Sequence, residues 1–156
     1  MEQFGLRFHH IGMAVRSTEK VSQFLRALGY QLGEPVYDPL QKVNLAMCRH
    51  VSMPEIEMVW PGSGQSPVDN LLKRQDSAMY HFCYVAAEPE ASLAAMEAAG
   101  MEVLAVAPPH PAVLFGGSEV SFYSVSGVGL IELIHGEPGS PQGGGPQIPH
   151  PSSTQT

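Results

Sequence analysis

The stretch Phe8-His9-His10-Ile11-Gly12-Met13-Ala14-Val15 has a near copy in Met79-Tyr80-His81-Phe82-Cys83-Tyr84-Val85. Both are short, apolar and bounded by polar residues, the pattern of a buried strand. Each carries a histidine and runs into a helical pattern closed by glycine. His10 and His81 stand 71 residues apart (10 to 81). Further along, each copy is followed by an apolar run that encloses one glutamate. These runs are Ile56-Glu57-Met58 and Ile131-Glu132-Leu133, and the two glutamates stand 75 residues apart (57 to 132). Two different chemical groups held at nearly one offset indicate an internal duplication. Each half then supplies one histidine and one glutamate to a shared site.

Working outward, the first copy spans Phe8 to Val15, and period-two alternation groups His10 with Phe8, Gly12 and Ala14. Ser17 stands as a helix N-cap with Glu19 in the first turn. Val21, Phe24, Leu25 and Leu28 form an amphipathic stripe expected to pack on a sheet, and Gly29 fits the residue that closes the helix. Strands are expected at Leu32–Tyr37, Lys42–Cys48 and Glu55–Trp60, punctuated by prolines. Ser66-Pro67-Val68-Asp69 opens a linking helix expected over 65–75. The second half repeats the order: a strand at Met79–Val85 and a helix from Pro89 through Leu93 and Met96 to Gly100. Strands follow at Met101–Val106, Glu119–Tyr123 and Val128–Ile134. Pro108-Pro109-His110-Pro111 and Gly116-Gly117 mark a loop. The fold class is α+β: two tandem βαβββ modules, 7–62 and 78–135, forming a curled mixed sheet around a central cavity. Gly136 to Thr156, rich in Gly, Pro, Ser and Gln, is expected to be a disordered tail.

Composition narrows the function. A net charge of −7 gives no basic patch for phosphate contacts, so no nucleic-acid partner is expected. No apolar run reaches the length of about 18–20 residues needed to span a bilayer, and the first residues lack the charge and apolar pattern of a signal peptide. The two cysteines, Cys48 and Cys83, make no disulfide framework, so a reducing cytoplasm is the expected setting.

Glu57 and Glu132 carry the most information. Each sits inside an apolar strand, where a carboxylate is costly unless it is paired, protonated or bound to a metal. A single such glutamate more often marks a solvated strand face, and a single strand histidine a hydrogen-bonded rim residue. The matched pairs favour a site. Two imidazoles and two carboxylates, from His10, His81, Glu57 and Glu132, suit a six-coordinate divalent ion: Co, Ni, Mn, Zn or Mg. A four-thiolate structural zinc is excluded by the cysteine count. His9, His50, His110, His135 and His150 lack such pairing and read as surface or rim residues; Cys83 reads as a small buried hydrophobe.

The duplicated pattern from Phe8 to His135 resembles the vicinal oxygen chelate superfamily, which includes glyoxalase I, bleomycin-resistance proteins, extradiol dioxygenases and methylmalonyl-CoA epimerase. The epimerase branch is similar at His10-Ile11-Gly12-Met13-Ala14-Val15, Ile56-Glu57-Met58-Val59-Trp60-Pro61, Ser66-Pro67-Val68, His81 and Gly129-Leu130-Ile131-Glu132-Leu133. The resemblance implies metal ligands at His10, Glu57, His81 and Glu132. It also implies an isomerase or lyase that removes a proton α to a carbonyl on a small acyl thioester, such as an acyl-CoA, or an α-oxo compound. By analogy with glyoxalase Glu132 would be the base. Where an epimerase carries a glutamate on the third strand, the nearest residue is Asn44, which is no base at neutral pH. Either Glu57 shares the work across the cavity or the reaction is not that epimerisation. Two rival readings come with the family. One is an extradiol-type dioxygenase using Fe(II) on two His and one Glu; the second carboxylate argues against it. The other is a metal-free metabolite- or drug-binding protein; the complete ionisable set argues against that. A homodimer is compatible with the sequence.

Overall fold

The computed structural model describes residues 3–138. Most of the Gly/Pro-rich tail expected from Gly136 onward therefore lies outside the described residues. The first module comprises β1 (Leu6–Val15), α1 (Thr18–Ala27), β2 (Gln31–Leu32), β3 (Val36–Asp38), β4 (Val43–Arg49) and β5 (Glu55–Pro61). The second comprises β6 (Ser77–Ala86), α2 (Pro89–Ala98), β7 (Val103–Pro111), β8 (Glu119–Val125) and β9 (Gly129–His135). All strands join one mixed sheet that curls without closing, in the order β2-β4-β5-β1-β6-β9-β8-β7, with β3 paired to β4.

At the centre, β1 and β6 run antiparallel, while β5 lies parallel to β1 and β9 parallel to β6. The duplication is visible in the register. Gly12 pairs with Glu57 across one parallel junction, and Cys83 pairs with Glu132 across the other. Gly12 and Cys83 occupy equivalent repeat positions, and each also faces the other module's histidine: Gly12 opposite His81, Cys83 opposite His10. The four strands that carry the candidate ligands are thus adjacent in the sheet.

Both faces of the sheet are covered, which explains why β5 and β9 read as nearly continuous apolar runs. Under α1, Leu25 packs with Tyr30, Ala46, Cys48 and Met58. Under α2, Met96 packs with Ala86, Val125, Ile131 and Leu133. On the inner face, Val68 and Leu72 of the linking segment pack on Val43, Leu45 and Val59. In the second module, Ala112 and Phe115 pack on Cys83, Val120, Phe122 and Ile134.

Several local expectations are corrected. Leu32–Tyr37 divides into β2 and β3 around Gly33-Glu34-Pro35, because proline offers no ladder donor. The linking helix expected over 65–75 reduces to turns and a single 3₁₀ turn at Leu71–Lys73. Ser66 and Asp69 still bond one another there, Ser66 Oγ donating to Asp69 Oδ1 at 2.7 Å. The stripe on α1 is narrower than expected: Leu25 is buried, but Phe24 is 63% exposed. The proline-rich segment expected to be a loop instead continues β7 through Pro111. It is an edge strand with two register breaks, the place where a sheet tolerates prolines.

Gly12 is required for steric reasons. A Cβ at position 12 would overlap the His81 imidazole, which lies flat over that backbone. Gly12→Ala is therefore expected to push the ring aside, lowering stability by about 1–3 kcal/mol in urea denaturation, the usual cost of overpacking a core. A stability unchanged by the substitution would contradict this packing.

Candidate metal centre

Strict alternation would place Phe8 on the face of His10 and Met79 on the face of His81. The structure departs from this at two β-bulges. Between Phe8–Tyr84 and His10–Cys83 the register leaves His9 as an extra residue on β1. Between Gly12–His81 and Met13–Met79 it leaves Tyr80 as an extra residue on β6. A bulge sets two consecutive side chains close together and re-aims them. Phe8 and Met79 accordingly turn outward, at 43% and 61% exposure. His9 and Tyr80 turn in beside the histidines, their rings 5.1 Å from His10 and 4.9 Å from His81 between centroids. His9 is thus no surface residue. The offset of 71 residues maps His9 onto Tyr80, the one sequence signal that links them.

The four expected ligands come together. His10, His81, Glu57 and Glu132 are all buried, and one donor atom from each lies within 4.8 Å of every other. The Nε2 atoms of His10 and His81 face each other at 3.3 Å. Glu132 Oε2 lies 2.9 Å from His81 Nε2 and 3.4 Å from His10 Nε2. Glu57 stands 3.8 Å from both imidazole nitrogens. Despite this proximity, Glu132 Oε2 makes no hydrogen bond, because the groups converge on a common point instead of aligning with one another. Such convergence of acceptors in a buried space is unfavourable unless a cation sits among them. Two imidazoles and two carboxylates fit a divalent ion of intermediate hardness, with coordination positions left for other ligands. The cavity above them measures about 10 Å3, the scale of one water molecule or ion.

His10 Nδ1 contacts His9 Nδ1 at 2.8 Å, an outer hydrogen bond of the kind that orients metal-binding imidazoles. His9 is wedged against Phe115, their centroids 5.3 Å apart. His81 Nδ1 has no partner. Cys83 also lies close to His9 and His10, but its thiol is buried. Burial, reinforced by Glu132 and Glu57, pushes its pKa far up and keeps it a thiol. His50, His110 and His135 contact Leu28, Gln41 and Ser121 and are not among the clustered donors. His150 lies outside the described residues.

The far wall of the cavity differs from expectation. Asn44 does not line it: its Nδ2 donates to Pro61 O. Leu45 is the β4 residue that faces in. The carboxylate on that wall is Asp38, which accepts from the Leu40 and Gln41 backbone amides and from Gln41 Nε2. Asp38 is thereby tied into its own turn, leaving Glu57 and Glu132 as the carboxylates aimed at the ion position.

Electrostatics separate these two groups. Burial, then the nearby Glu132 charge, pushes Glu57 up to about 7. Burial acts on Glu132 as well, but His81 and His10 outweigh it and hold Glu132 below the usual carboxylate range. For His81, burial is outweighed by Glu132 and Glu57, so its pKa rises. His9 is lowered by burial and by His10.

A family model described as the glyoxalase/bleomycin resistance protein/dioxygenase superfamily matches residues 9–122. The chain belongs to this superfamily. No sequence among curated proteins matches it. Among solved structures it is similar to methylmalonyl-CoA epimerase from Mycobacterium tuberculosis, at TM-score 0.67 and 18% identity over 86% of this chain and 89% of that one. It is also similar to a hypothetical protein from Bacillus halodurans C-125, at TM-score 0.66 and 23% identity over 83% and 94%. A third is a Streptomyces coelicolor methylmalonyl-CoA epimerase variant with 2-nitronate-propionyl-CoA, at TM-score 0.62 and 24% identity over 83% and 93%. At these identities the likeness is one of fold. The superfamily's divalent ion agrees with the donor set described above.

The centre makes a pH prediction for the metal-free protein. Glu57 is raised from 4.5 to about 7, and His81 is raised above its ordinary 6.5. A folded-state pKa above the unfolded value gives stability that is full below the unfolded pKa and lost as pH rises through the folded one. Both groups act in this direction. Glu132, held low, contributes in the opposite sense only at more acidic pH. His9, lowered below its ordinary 6.5 by burial, acts in the opposite sense up to about that pH. With a chelator present, the melting temperature is therefore expected to fall between about pH 6.5 and pH 8. Saturating Mn or Co should remove that fall, since binding needs deprotonated ligands and so strengthens with pH. A metal-free melting temperature that is flat or rising over this window would contradict the assignment.

Proposed function

We propose that the protein is a metal-dependent isomerase or lyase that removes a proton α to a carbonyl, acting on a small acyl thioester or α-oxo substrate in the cytoplasm. The observation that carries this reading is the convergence of two imidazole nitrogens and two carboxylates in one buried cavity, with Glu132 Oε2 lacking any hydrogen bond. When bound, a divalent ion supplies electrophilic stabilisation of negative charge developing on substrate oxygen.

The chain's own residues supply the rest. His10 and His81 would hold the ion from the central strand pair, with His10 kept in orientation by His9. Glu57 and Glu132 come from β5 and β9, the strands that flank this pair on its two sides. Two carboxylates approaching from opposite sides suit proton removal on one face of an α-carbon and return on the other. Glu132 is assigned as the base, with Glu57 its partner. Leu45, Val59, Phe115 and Phe122 keep the cavity apolar, which strengthens every charge interaction inside it.

The cavity itself is too small for an acyl group, but it adjoins a cleft of about 770 Å3. Residues 112–115 cover the ion position, and Gly116 and Gly117 beside them adopt positive φ angles of 63° and 83°. The cleft exposes amide side chains from Gln65 and Asn70, together with Lys42. These are partners for the amide-bearing arm of an acyl-CoA, and a methylmalonyl-CoA epimerase of this fold has been solved with methylmalonyl-CoA.

The experiment follows α-proton exchange of methylmalonyl-CoA in deuterium oxide by NMR, using metal-loaded protein. Exchange is expected for the wild type. Glu132→Gln should lower it by roughly 100-fold or more while the fold persists by circular dichroism. Exchange at the full wild-type rate in Glu132→Gln would remove Glu132 as the base.

A further inference from the structure

We propose that Tyr80 contacts the substrate, its phenol donating a hydrogen bond to the oxygen that gains negative charge as the α-proton leaves. The assignment rests on the reaction proposed above and adds a residue to it.

Placement carries the argument. Of the residues around the ion cavity and the large cleft, Gln41, Tyr80 and Phe122 line both. A substrate whose reacting carbon lies over the ion and whose remainder lies in the cleft must pass these three. Phe122 has no polar atom to offer. Gln41 is already engaged, its Nε2 3.0 Å from Asp38 Oδ2 and 3.3 Å from His110 Nε2. Tyr80 is the one with a spare donor: its hydroxyl makes no hydrogen bond among the described residues, and a phenol is a neutral donor at physiological pH. Among the described residues it is also the only side-chain hydroxyl on the ion cavity.

The backbone points the same way. Without the bulge on β6, Tyr80 would face away from His81; the extra residue turns the ring inward. The ring is then held between two neighbours, stacked on Phe122 at a 25° interplanar angle and edge-on to His81 at 68°. A donor fixed by packing before substrate arrives stabilises charge without reorganisation. The equivalent bulge on β1 gives its inward ring, His9, a bond to His10 Nδ1, whereas His81 Nδ1 has no partner. Tyr80 thus does not perform the supporting role of its repeat counterpart, and its polar atom remains free for a ligand.

The test compares an enolate-like ligand, 2-nitronate-propionyl-CoA, with ground-state propionyl-CoA by calorimetry on the full, metal-loaded chain. Tyr80→Phe is expected to bind metal stoichiometrically and to bind propionyl-CoA within about 3-fold of wild type. It should bind the nitronate about 10-fold or more weakly, and lose about 10- to 100-fold in kcat for α-proton exchange with little change in KM. Equal affinity for the nitronate, or the same loss for both ligands, would overturn the assignment by showing that the ring serves only as packing. If Tyr80→Phe does not fold, wild-type protein carrying 3-fluorotyrosine supplies the answer. Its Tyr80 fluorine resonance should move on binding the nitronate and not on binding propionyl-CoA; identical shifts overturn the assignment. A wild type that binds neither ligand and exchanges no α-proton overturns the proposed reaction, and Tyr80's role with it. A wild type that binds and exchanges beside an indifferent Tyr80→Phe overturns the role of Tyr80 alone.

Discussion

Four ionisable side chains share one buried space, and no arrangement of their own protons satisfies all of them. Glu132 Oε2 lies 2.9 Å from His81 Nε2 without hydrogen-bond alignment, and His81 Nδ1 has no partner, although both are enclosed. Unpaired burial of this kind costs on the order of 1–3 kcal/mol per neutral group and more for a charge. A divalent cation resolves the conflict by giving all four donors one partner. The rest of the molecule can be understood as the scaffold that imposes this convergence. An antiparallel pair in the middle of the sheet brings the histidines face to face, and a parallel strand on either side adds a glutamate.

The repeat is faithful where it builds the centre and departs where it differentiates the two halves. Small residues, Gly12 and Cys83, sit opposite the two histidines and beside the two glutamates. Gly12 has to be glycine, since His81 occupies the space of its side chain. Cys83 fills the corresponding place with a buried thiol that remains protonated. The bulges differ in kind of ring: imidazole in the first module, phenol in the second. One supports a ligand, and the other faces the passage to the cleft. A duplicated scaffold thereby presents two walls of different composition around one buried cluster of donors.

Much of this was legible in the sequence because spacing and burial reinforce each other. The paired offsets of His10 with His81 and Glu57 with Glu132 pick out the four side chains that converge in the cavity, and the βαβββ order follows from period-two runs and glycine-closed helices. What escaped was whatever breaks the period. A bulge inserts a residue without a composition signal, so the sequence offers no sign that His9 and Tyr80 turn inward beside the histidines. The edge position of β7 cannot be read from Pro108-Pro109-His110-Pro111, since it depends on which strand is left unpaired. Asn44 is the residue nearest the glutamate of an epimerase's third strand, yet Leu45 faces in and Asp38 reaches the cavity from β3. The short 3₁₀ turn after Ser66 carries a good helix start, but tertiary packing of Val68 and Leu72 decides its course.

The central claim is that these four side chains share one divalent ion, and X-ray absorption of the Co- or Mn-loaded protein tests it most directly. The account predicts one ion per chain, with a first shell of nitrogen and oxygen only, including a two-imidazole scattering pattern that falls to one imidazole in His81→Ala. A shell containing sulfur, which would implicate Cys83, or an unchanged imidazole pattern in that variant would contradict it.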